Sequence, residues 1–482
     1  MDGSERTGGN QMKVSRRHFL AAAGAYGAYS AFGPSLWAAM KYDRDAVLKR
    51  FRLRAADTDA RVKAGIEANR KGPMLFTFKD AAGKILENVH VKVTQKTHDF
   101  KYGADIFMLD EIGDSKEKNE AYKEHFAAAF NLATVPFYWK DLEPEEGKTR
   151  YAKNSPKIYR RPPPDLCVEW CEAHGIEPKA HCLNYSGQSP GWARGDIQKE
   201  KYLLEKRFRE LAERYAKRVP MWEVTNETFW GSDDSGSNFY REPDFVEWSF
   251  KLAERYFPAN HLVINEWSNL WGDTWNHRSR GRYYMQIERA MLKGARIDGV
   301  GMQFHMFFDA EKAVSSTRQF YDPQCLFGVM DTYAALGRPI QITEITIPAY
   351  SNDPGDEEVQ AEILRELYRI WFSHPAMEAI IYWNLPDGYA WGAEPGDMAT
   401  GENRYYGGLC RFDMTPKPAF NVVKDLFGKE WRTNFERDVG GEFAFRGFKG
   451  TYELEATANG KTVRREFRLN PAFPGSADVV VA

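Results

Sequence analysis

Two glutamates stand at the ends of apolar segments in a pattern that suits the cleavage of a glycosidic bond. Glu227 ends the run Met221-Trp-Glu-Val-Thr-Asn-Glu, and Glu344 lies within Gln341-Ile-Thr-Glu-Ile-Thr. Such cleavage needs one carboxyl group that protonates the departing oxygen and one carboxylate that attacks the anomeric carbon. Their surroundings must keep one protonated and the other ionised near neutral pH. Taken alone, any two such glutamates are more simply explained as capping or ion-paired residues.

Several other segment ends carry side chains of the types that bind sugars. Amides and imidazoles hydrogen-bond hydroxyl groups in both directions, and an aromatic face packs against the C–H side of a sugar ring. A single buried histidine or tryptophan is usually structural, but together these residues favour a carbohydrate site. The candidate substrate-binding residues are His181, Asn226, Asn265, Gln303, His305, Trp383, Trp391, Tyr138, Tyr185 and Gln188.

The elements that must position these residues form a repeating pattern. Eight short apolar runs alternate with helical patterns, and such units pair in parallel through right-handed crossovers, which is typical of a (β/α)8 TIM barrel of the α/β class. Its active sites lie at the carboxyl ends of the strands, where the candidates stand. A doubly wound sheet is the alternative, but the sequence has no Gly-rich loop after its first strand. The predicted strands are 100–107, 131–139, 178–185, 219–227, 261–267, 298–305, 339–347 and 377–385.

The flanking segments predict a surface helix and a small β unit. Residues 41–71 combine dense charge with apolar residues at helical intervals, whereas the segments after Pro73 and after Glu442 alternate apolar and polar residues. About three strands at each terminus are marginal alone, so we expect them to meet as one accessory β-sandwich. The predicted organisation is a signal peptide (1–39), a helical lead-in (40–72), an N-terminal β segment (73–98), the catalytic barrel (99–435) and a C-terminal β segment (436–482) that packs with 73–98.

The first residues resemble a twin-arginine export signal. Ser15-Arg-Arg-His-Phe-Leu precedes an uncharged stretch rich in Ala and Gly. A membrane span is the competing interpretation, but the glycines and serines make the stretch too polar and too short. We therefore predict a periplasmic or secreted protein, with no membrane association unless the signal is retained as an anchor.

Composition excludes several classes of protein. The 482 residues include 66 basic and 68 acidic side chains, so no nucleic-acid partner is predicted. A chain with 43% hydrophobic and 14% aromatic residues is not disordered. Five cysteines do not form a disulfide framework, and Cys167 and Cys171 lack a second pair of zinc ligands at the usual spacing. No metal or organic cofactor is predicted, and the oligomeric state is left open.

The motifs together resemble glycoside hydrolase family 10, the endo-β-1,4-xylanases. The resemblance spans about residues 95–430 and rests on Trp222 to Glu227, Ile297 to His305, Ile342-Thr-Glu, and two tryptophans eight apart. It implies a retaining enzyme in which Glu227 is the acid/base and Glu344 the nucleophile. It also implies that Asn226 holds the substrate 2-hydroxyl, that Gln303 and His305 orient the nucleophile, and that His181 and Trp383 shape the site of the cleaved sugar.

The residues that would hold the sugar beyond the cleavage point depart from the family pattern. The family's Glu-Asn-x-Met-Lys-Trp is replaced by Thr134-Val-Pro-Phe-Tyr-Trp, and its Trp-His-Ser-Gln by Tyr185-Ser-Gly-Gln. Changed hydrogen-bonding groups select strongly against the original substrate. We therefore expect a retaining, xylanase-like β-glycoside hydrolase that acts on a β-linked polysaccharide or oligosaccharide. The alternatives are a different β-glycan or a short decorated oligosaccharide as substrate, and a non-catalytic carbohydrate-binding protein.

Overall fold

A computed structural model describes residues 42–113, 115–229, 237–470 and 475–481. The predicted twin-arginine signal lies outside these residues. Among the described helices, none combines the length and the apolar composition that a membrane span requires.

The centre of the molecule is a closed barrel of eight parallel strands. In spatial order they are β10-β3-β4-β5-β6-β7-β8-β9 when the strands are numbered along the chain. Three of them are buried at every position, because helices cover the outside of the barrel and side chains fill its interior. The predicted TIM barrel is confirmed. The barrel strands are β3 (Lys101–Asp105), β4 (Leu132–Pro136), β5 (Glu177–His181), β6 (Met221–Asn226), β7 (His261–Glu266), β8 (Gly299–His305), β9 (Ile340–Thr346) and β10 (Met377–Tyr382).

Amphipathic helices surround the barrel. In α6, for example, the apolar side chains of Leu204, Phe208 and Leu211 recur every three to four residues and are buried, and Asp196 caps the first turn by accepting from the Lys199 amide. The described helices are α1 (Arg44–Arg52), α2 (Ala55–Arg70), α3 (Lys116–Ala129), α4 (Trp139–Leu142), α5 (Pro164–His174), α6 (Ile197–Tyr215), α7 (Phe245–Tyr256), α8 (Leu270–His277), α9 (Arg282–Leu292), α10 (Ala313–Ser316), α11 (Pro323–Ala334), α12 (Pro354–Ser373) and α13 (Pro418–Asp425).

The charged segment before the first strand forms two helices, where the sequence pattern predicted one. Helices α1 and α2 are separated by a turn, and both pack against α12. Arg44 of α1 pairs with Asp356 at 2.7 Å, and Asp59 of α2 pairs with Arg369 at 2.6 Å. The turn allows the apolar side chains of both helices, such as Phe51 and Val62, to be buried.

The accessory β unit is a sandwich of two sheets built from both flanks of the barrel, as predicted. One sheet has the order β12-β1-β15 and the other β11-β2-β13-β14, and Phe76, Phe78, Val91, Tyr452 and Leu454 are buried between them. In the described residues, two strands of the sandwich precede the barrel and five follow it. Each of the two early strands, β1 and β2, lies between two strands from the C-terminal side. These strands are β1 (Lys71–Lys79), β2 (Val89–Gln95), β11 (Asn434–Val439), β12 (Glu442–Phe448), β13 (Gly450–Ala458), β14 (Lys461–Leu469) and β15 (Gly475–Val480).

Candidate active site

The two candidate catalytic glutamates face each other at the carboxyl end of the barrel. Glu227 follows β6, and Glu344 lies in β9. The amide nitrogen of Gln303, on β8, donates to Glu227 Oε1 at 2.9 Å and to Glu344 Oε1 at 3.1 Å. Because one nitrogen bonds both oxygens, these oxygens lie within about 6 Å of each other, in the range of distances that decides glycosidase stereochemistry.

A strained backbone conformation holds Glu227 in place, together with hydrogen bonds made by Glu227 and by the next residue, Thr228. Its φ angle is +48°, a left-handed conformation that non-glycine residues rarely adopt and that persists only where neighbours enforce it. The backbone amide of the next residue, Thr228, donates to the buried Glu266 carboxylate at 2.6 Å, and the Thr228 hydroxyl does so at 2.7 Å. The Tyr185 hydroxyl donates to Glu227 Oε2 at 2.6 Å. The carboxyl group is therefore fixed in direction before any substrate arrives.

Three donors surround the carboxyl group of Glu344. Asn265 Nδ2 lies 2.8 Å from Oε1, beside the Gln303 amide, and His305 Nε2 lies 3.1 Å from Oε2. Burial raises the pKa of Glu344 to about 8, and the negative charges of Glu223 and Glu227 add to this rise. A carboxyl group that is both buried and surrounded by donors can carry charge during a reaction without being reached by bulk water.

His305 is held as a neutral imidazole. Burial lowers its pKa to about 4, and its Nδ1 lies 2.9 Å from the Thr346 hydroxyl. When Nε2 carries the proton and donates to Glu344, Nδ1 accepts from Thr346. The hydroxyl of Thr346 therefore supports the tautomer that donates to Glu344.

A buried charged group lies below the glutamate pair. The Glu223 carboxylate, on β6, accepts from Lys179 Nζ at 2.6 Å and from His181 Nδ1 at 2.7 Å. Burial alone would raise the pKa of Glu223, but His181 and Lys179 lower it to about 2. His181 Nε2 lies 2.9 Å from the Tyr138 hydroxyl, so the predicted residues His181 and Tyr138 are tied into this group.

Three of the predicted aromatic residues, Tyr138, Tyr185 and Trp383, pack in one cluster with Phe107. The centroid of the Trp383 ring lies 5.4 Å from that of His181 and 5.9 Å from that of His305. The ring centroids of Tyr138 and Tyr185 lie 6.4 Å apart. Asn265 Nδ2 also donates to the Asn226 amide oxygen at 2.9 Å, which places both predicted asparagines beside Glu344.

Two predicted site residues stand apart from this cluster. Trp391 lies on the loop after β10 and is 63% exposed. Gln188 ends a short 3-10 turn after β5, and its buried amide oxygen has no hydrogen-bond partner among the described residues. Neither side chain hydrogen-bonds one of the two glutamates in the described part of the chain.

Sequence reasoning missed the acidic residues that support the site. Glu223 and Glu266 are fully buried in barrel strands, and half of the residues in each strand are apolar. An acidic residue in such a strand is itself a signal, because burial of a charge needs partners. Lys179 and His181, two residues apart on the neighbouring strand, complete that signal for Glu223. No comparable feature of the sequence indicated a role for Thr346.

One group of potential metal ligands exists among the described residues, and its chemistry favours an ion pair. The ligand atoms of His181, Cys182 and Glu223 lie within 4.8 Å of one another. The Lys179 ammonium already neutralises Glu223, and burial raises the pKa of the Cys182 thiol well above its usual value. A protonated thiol beside a lysine is a poor site for a divalent cation.

A family comparison agrees with this geometry. Residues 102–426 match the family model described as glycosyl hydrolase family 10. The chain belongs to this family. The matched segment contains all of the barrel strands except Lys101, and it confirms the family resemblance predicted from the motifs.

Individual relatives of the family are distant from this chain. The chain is 25% identical over 402 residues to the anti-sigma-I factor RsgI6 of Acetivibrio thermocellus, covering 81% of this chain but 46% of the relative. It is 27% identical to endo-1,4-beta-xylanase B of Thermotoga neapolitana, covering 64% of this chain and 83% of the relative. The crystal structure of xylanase 10B from Thermotoga petrophila RKU-1 in complex with xylobiose has a similar fold, with a TM-score of 0.52, 23% identity, and coverage of 69% of this chain and 95% of that one.

Proposed function

We propose that this chain is a retaining β-glycoside hydrolase that cleaves a β-linked polysaccharide or oligosaccharide. The observation that supports this most is the Gln303 amide, which bonds both glutamates and keeps two of their oxygens within about 6 Å. Carboxyl groups about 5–5.5 Å apart favour direct attack on the sugar, whereas separations of about 6.5–9.5 Å leave room for an attacking water.

In the proposed first step, Glu344 attacks the anomeric carbon while Glu227 protonates the departing glycosidic oxygen. The bond between carbon and that oxygen breaks, and a covalent glycosyl-enzyme forms. The negative charge of Glu227 contributes to the raised pKa of Glu344, so the pair holds one proton near neutral pH. The three donors around Glu344 favour placing the charge there and the proton on Glu227.

In the proposed second step, Glu227 acts as a base. It takes a proton from a water molecule, the oxygen of that water attacks the anomeric carbon, and the bond to Glu344 breaks. Two displacements restore the original β configuration. The Tyr185 hydroxyl, 2.6 Å from Glu227, can donate to the carboxylate and accept from the carboxylic acid, so it supports both states of that residue.

The experiment that tests this function compares the wild type with Glu344→Gln on 4-nitrophenyl β-glycosides. We expect the variant to lose activity by a factor on the order of 10³ or more, because an amide cannot replace the attacking carboxylate. Glu358→Gln, an exposed charge on the outer helix α12, is the matched control. Proton NMR of the first product should show the β anomer, and an initial α anomer would contradict the retaining mechanism.

The sugar itself is proposed more broadly than xylan. The family pattern and the names of the xylanase relatives favour a β-1,4-linked chain, but the residues around Tyr138 differ from the family pattern. The Tyr138 hydroxyl is engaged with His181, and Arg161 lies over its ring at 4.3 Å. A panel of purified β-glycans and short decorated oligosaccharides, read by the release of reducing sugar, would identify the substrate.

Binding without turnover is the second candidate function. One observation favours it: the RsgI6 relative, which covers 81% of this chain, has the name of a regulatory factor and not of a hydrolase. The retention of both glutamates with Gln303 and His305 around them supports catalysis instead. Equal affinity for a β-glycan in wild type and Glu344→Gln, with no product from either, would favour the binding function.

A further inference from the structure

A cavity of about 580 Å³ opens at the amino end of the barrel, at the opposite end from the two glutamates. We call it the basal cavity. Its wall includes Phe100, which precedes β3, Pro339, which precedes β9, and Met377, which begins β10. Lys449, between β12 and β13 of the accessory sandwich, belongs to the same wall. The basal cavity therefore lies where the barrel meets the sandwich, and its volume is in the range of sites for small organic molecules.

Three cations line the basal cavity, and in the described part of the chain none of them forms an ion pair with a carboxylate. Arg70, Arg338 and Lys449 each donate to backbone carbonyl oxygens instead. Two of them are neighbours, because the Lys449 backbone amide donates to the Arg70 carbonyl oxygen at 3.0 Å. Burial lowers the pKa of Arg70 and that of Lys449, and the charge of Arg70 lowers the pKa of Lys449 further, while Asp99 opposes this. A negative charge placed beside both cations would offset their repulsion and their loss of water.

The two carboxylates in the same wall already have partners. Asp99 pairs with Arg468 at 3.1 Å. Glu378 accepts from Gln341 Nε2 at 2.7 Å and lies 2.9 Å from His261 Nε2. Both carboxylates are thus engaged with groups outside the cavity wall. The charge that remains to face a ligand is therefore positive.

The rest of the wall is largely apolar. The Arg70 guanidinium lies over the ring of Phe100, 4.8 Å from its centroid, so a cation and an apolar surface adjoin each other. Burial lowers the pKa of His98, which also lines the cavity, to about 3, so its imidazole is neutral and adds no charge. A ligand that contacts the whole wall has an apolar body and one anionic group. The apolar members of the wall include Phe100, Ala334, Pro339, Pro375, Ala376 and Met377.

We propose that the basal cavity binds a small organic carboxylate, with its charge beside Arg70 and Lys449 and its apolar body against the prolines and Met377. A carboxylate accepts from a guanidinium through two parallel hydrogen bonds, and it pairs with an ammonium as well. Inorganic phosphate would satisfy the cations but would leave the apolar wall in contact with water. The ligand would contact both the barrel and the sandwich, so its binding stabilises their contact. This inference goes beyond the proposed function and does not depend on it.

Isothermal titration calorimetry of the full chain tests the proposal with three probes. Naphthalene-2-carboxylate carries the anionic group on an apolar body, naphthalene-2-carboxamide has the same body without the charge, and inorganic phosphate has the charge without the body. We expect the carboxylate to bind, and each of the other two probes to bind at least about 10-fold more weakly. The carboxylate should also raise the melting temperature, because it binds the folded chain and not the unfolded one.

Variants of two wall residues locate the binding in the basal cavity. Lys449→Met removes one of the cations and should weaken binding of the carboxylate about 10-fold, whereas Lys449→Arg keeps the charge and should stay within about threefold of the wild type. Ala334→Leu keeps every charge but fills part of the cavity, and we expect it to weaken binding about 10-fold or more. The matched controls are Lys424→Met on α13 and Ala335→Leu, which change exposed side chains outside the wall and should bind the carboxylate like the wild type.

Several results would overturn the proposal. Equal affinity for the carboxylate and the carboxamide would show that the cations do not select the ligand, and phosphate that binds as tightly as the carboxylate would show that the apolar wall contributes nothing. Unchanged affinity in a folded Lys449→Met or Ala334→Leu variant would put the binding elsewhere on the surface. The absence of any heat of binding at millimolar concentrations of the carboxylate would also refute the site. Circular dichroism and melting without ligand establish that each variant is folded, and Ala334→Leu decides the question if Lys449→Met is not.

Discussion

Replacing Glu344 by Gln is expected to stabilise the folded protein at alkaline pH while it removes the proposed nucleophile. In the folded state burial raises the pKa of Glu344 from 4.5 to about 8. Between these two values the unfolded chain gives up the proton, whereas the folded pair of Glu344 and Glu227 keeps one proton. The stability that the protonated group allows is thus complete below about pH 4.5 and is lost as pH rises toward 8. A glutamine does not titrate, so the variant avoids this loss.

The structure sets the size of the effect. Each pKa unit corresponds to about 1.4 kcal/mol, so the full shift would give at most about 5 kcal/mol at pH 8. The shift belongs to the coupled pair of Glu344 and Glu227 and not to Glu344 alone, so we expect less than this maximum, about 3 kcal/mol. The hydrogen bonds survive, because the glutamine oxygen can accept from Asn265 and Gln303 while its nitrogen donates to His305 Nε2 after a change of tautomer.

The assay is guanidinium unfolding of both proteins, followed by tryptophan fluorescence at pH 5, 6, 7 and 8, with calorimetric melting as a second measurement. For a chain of this size 3 kcal/mol corresponds to a rise of roughly 3 °C in melting temperature. The difference between variant and wild type should grow steadily from pH 5 to pH 8, whereas Glu358→Gln should show no such trend. A difference that is independent of pH, or a variant less stable than the wild type at pH 8, would refute the reasoning.

Three further predictions concern groups around the site and the first residues of the chain. Tyr185→Phe should lower kcat about tenfold on an aryl β-glycoside with little change in KM, because the lost hydroxyl contacts the proposed acid/base; a change confined to KM would contradict this role. Lys179→Met should reduce the free energy of unfolding by about 3–5 kcal/mol, because the buried Glu223 loses its lysine partner and keeps only His181, and adding Glu223→Gln should restore part of the loss in the same denaturant titration. We also propose export through the twin-arginine route, so replacing Arg16 and Arg17 by lysines should retain the protein in the cytoplasm on cell fractionation, and unchanged export would refute it.

The barrel could be predicted because its strands are buried on both faces. Such strands appear as short apolar runs, and each of the eight predicted runs overlaps a strand of the barrel. The predicted strands are a few residues longer than the observed ones, because apolar residues continue into the loops after the strands. The glutamates and the amide between them were found for the same reason, because polar residues at the end of an apolar run stand out.

The rest of the site depends on contacts between distant parts of the chain. No pattern in the sequence singles out Thr346, and only folding brings its hydroxyl to His305, 41 positions earlier. The sequence does not show that Trp391 is exposed and Trp383 is buried, because both tryptophans follow the same strand, β10, at the mouth of the barrel. The two helices before the barrel were predicted as one because a turn between charged helices changes neither composition nor period.

The accessory sandwich imposes an order of events on synthesis. Strand β2 pairs with β11 and β13, so its partners leave the ribosome only after the whole barrel has been made. At about 5–20 residues per second the two early strands wait on the order of half a minute with Phe76, Phe78 and their edges uncovered. A ribosome that stops early therefore releases a chain whose barrel is complete but whose strands β1 and β2 lack their partners. The exposed apolar side chains of these strands distinguish an unfinished molecule from a finished one, and proteases can recognise them.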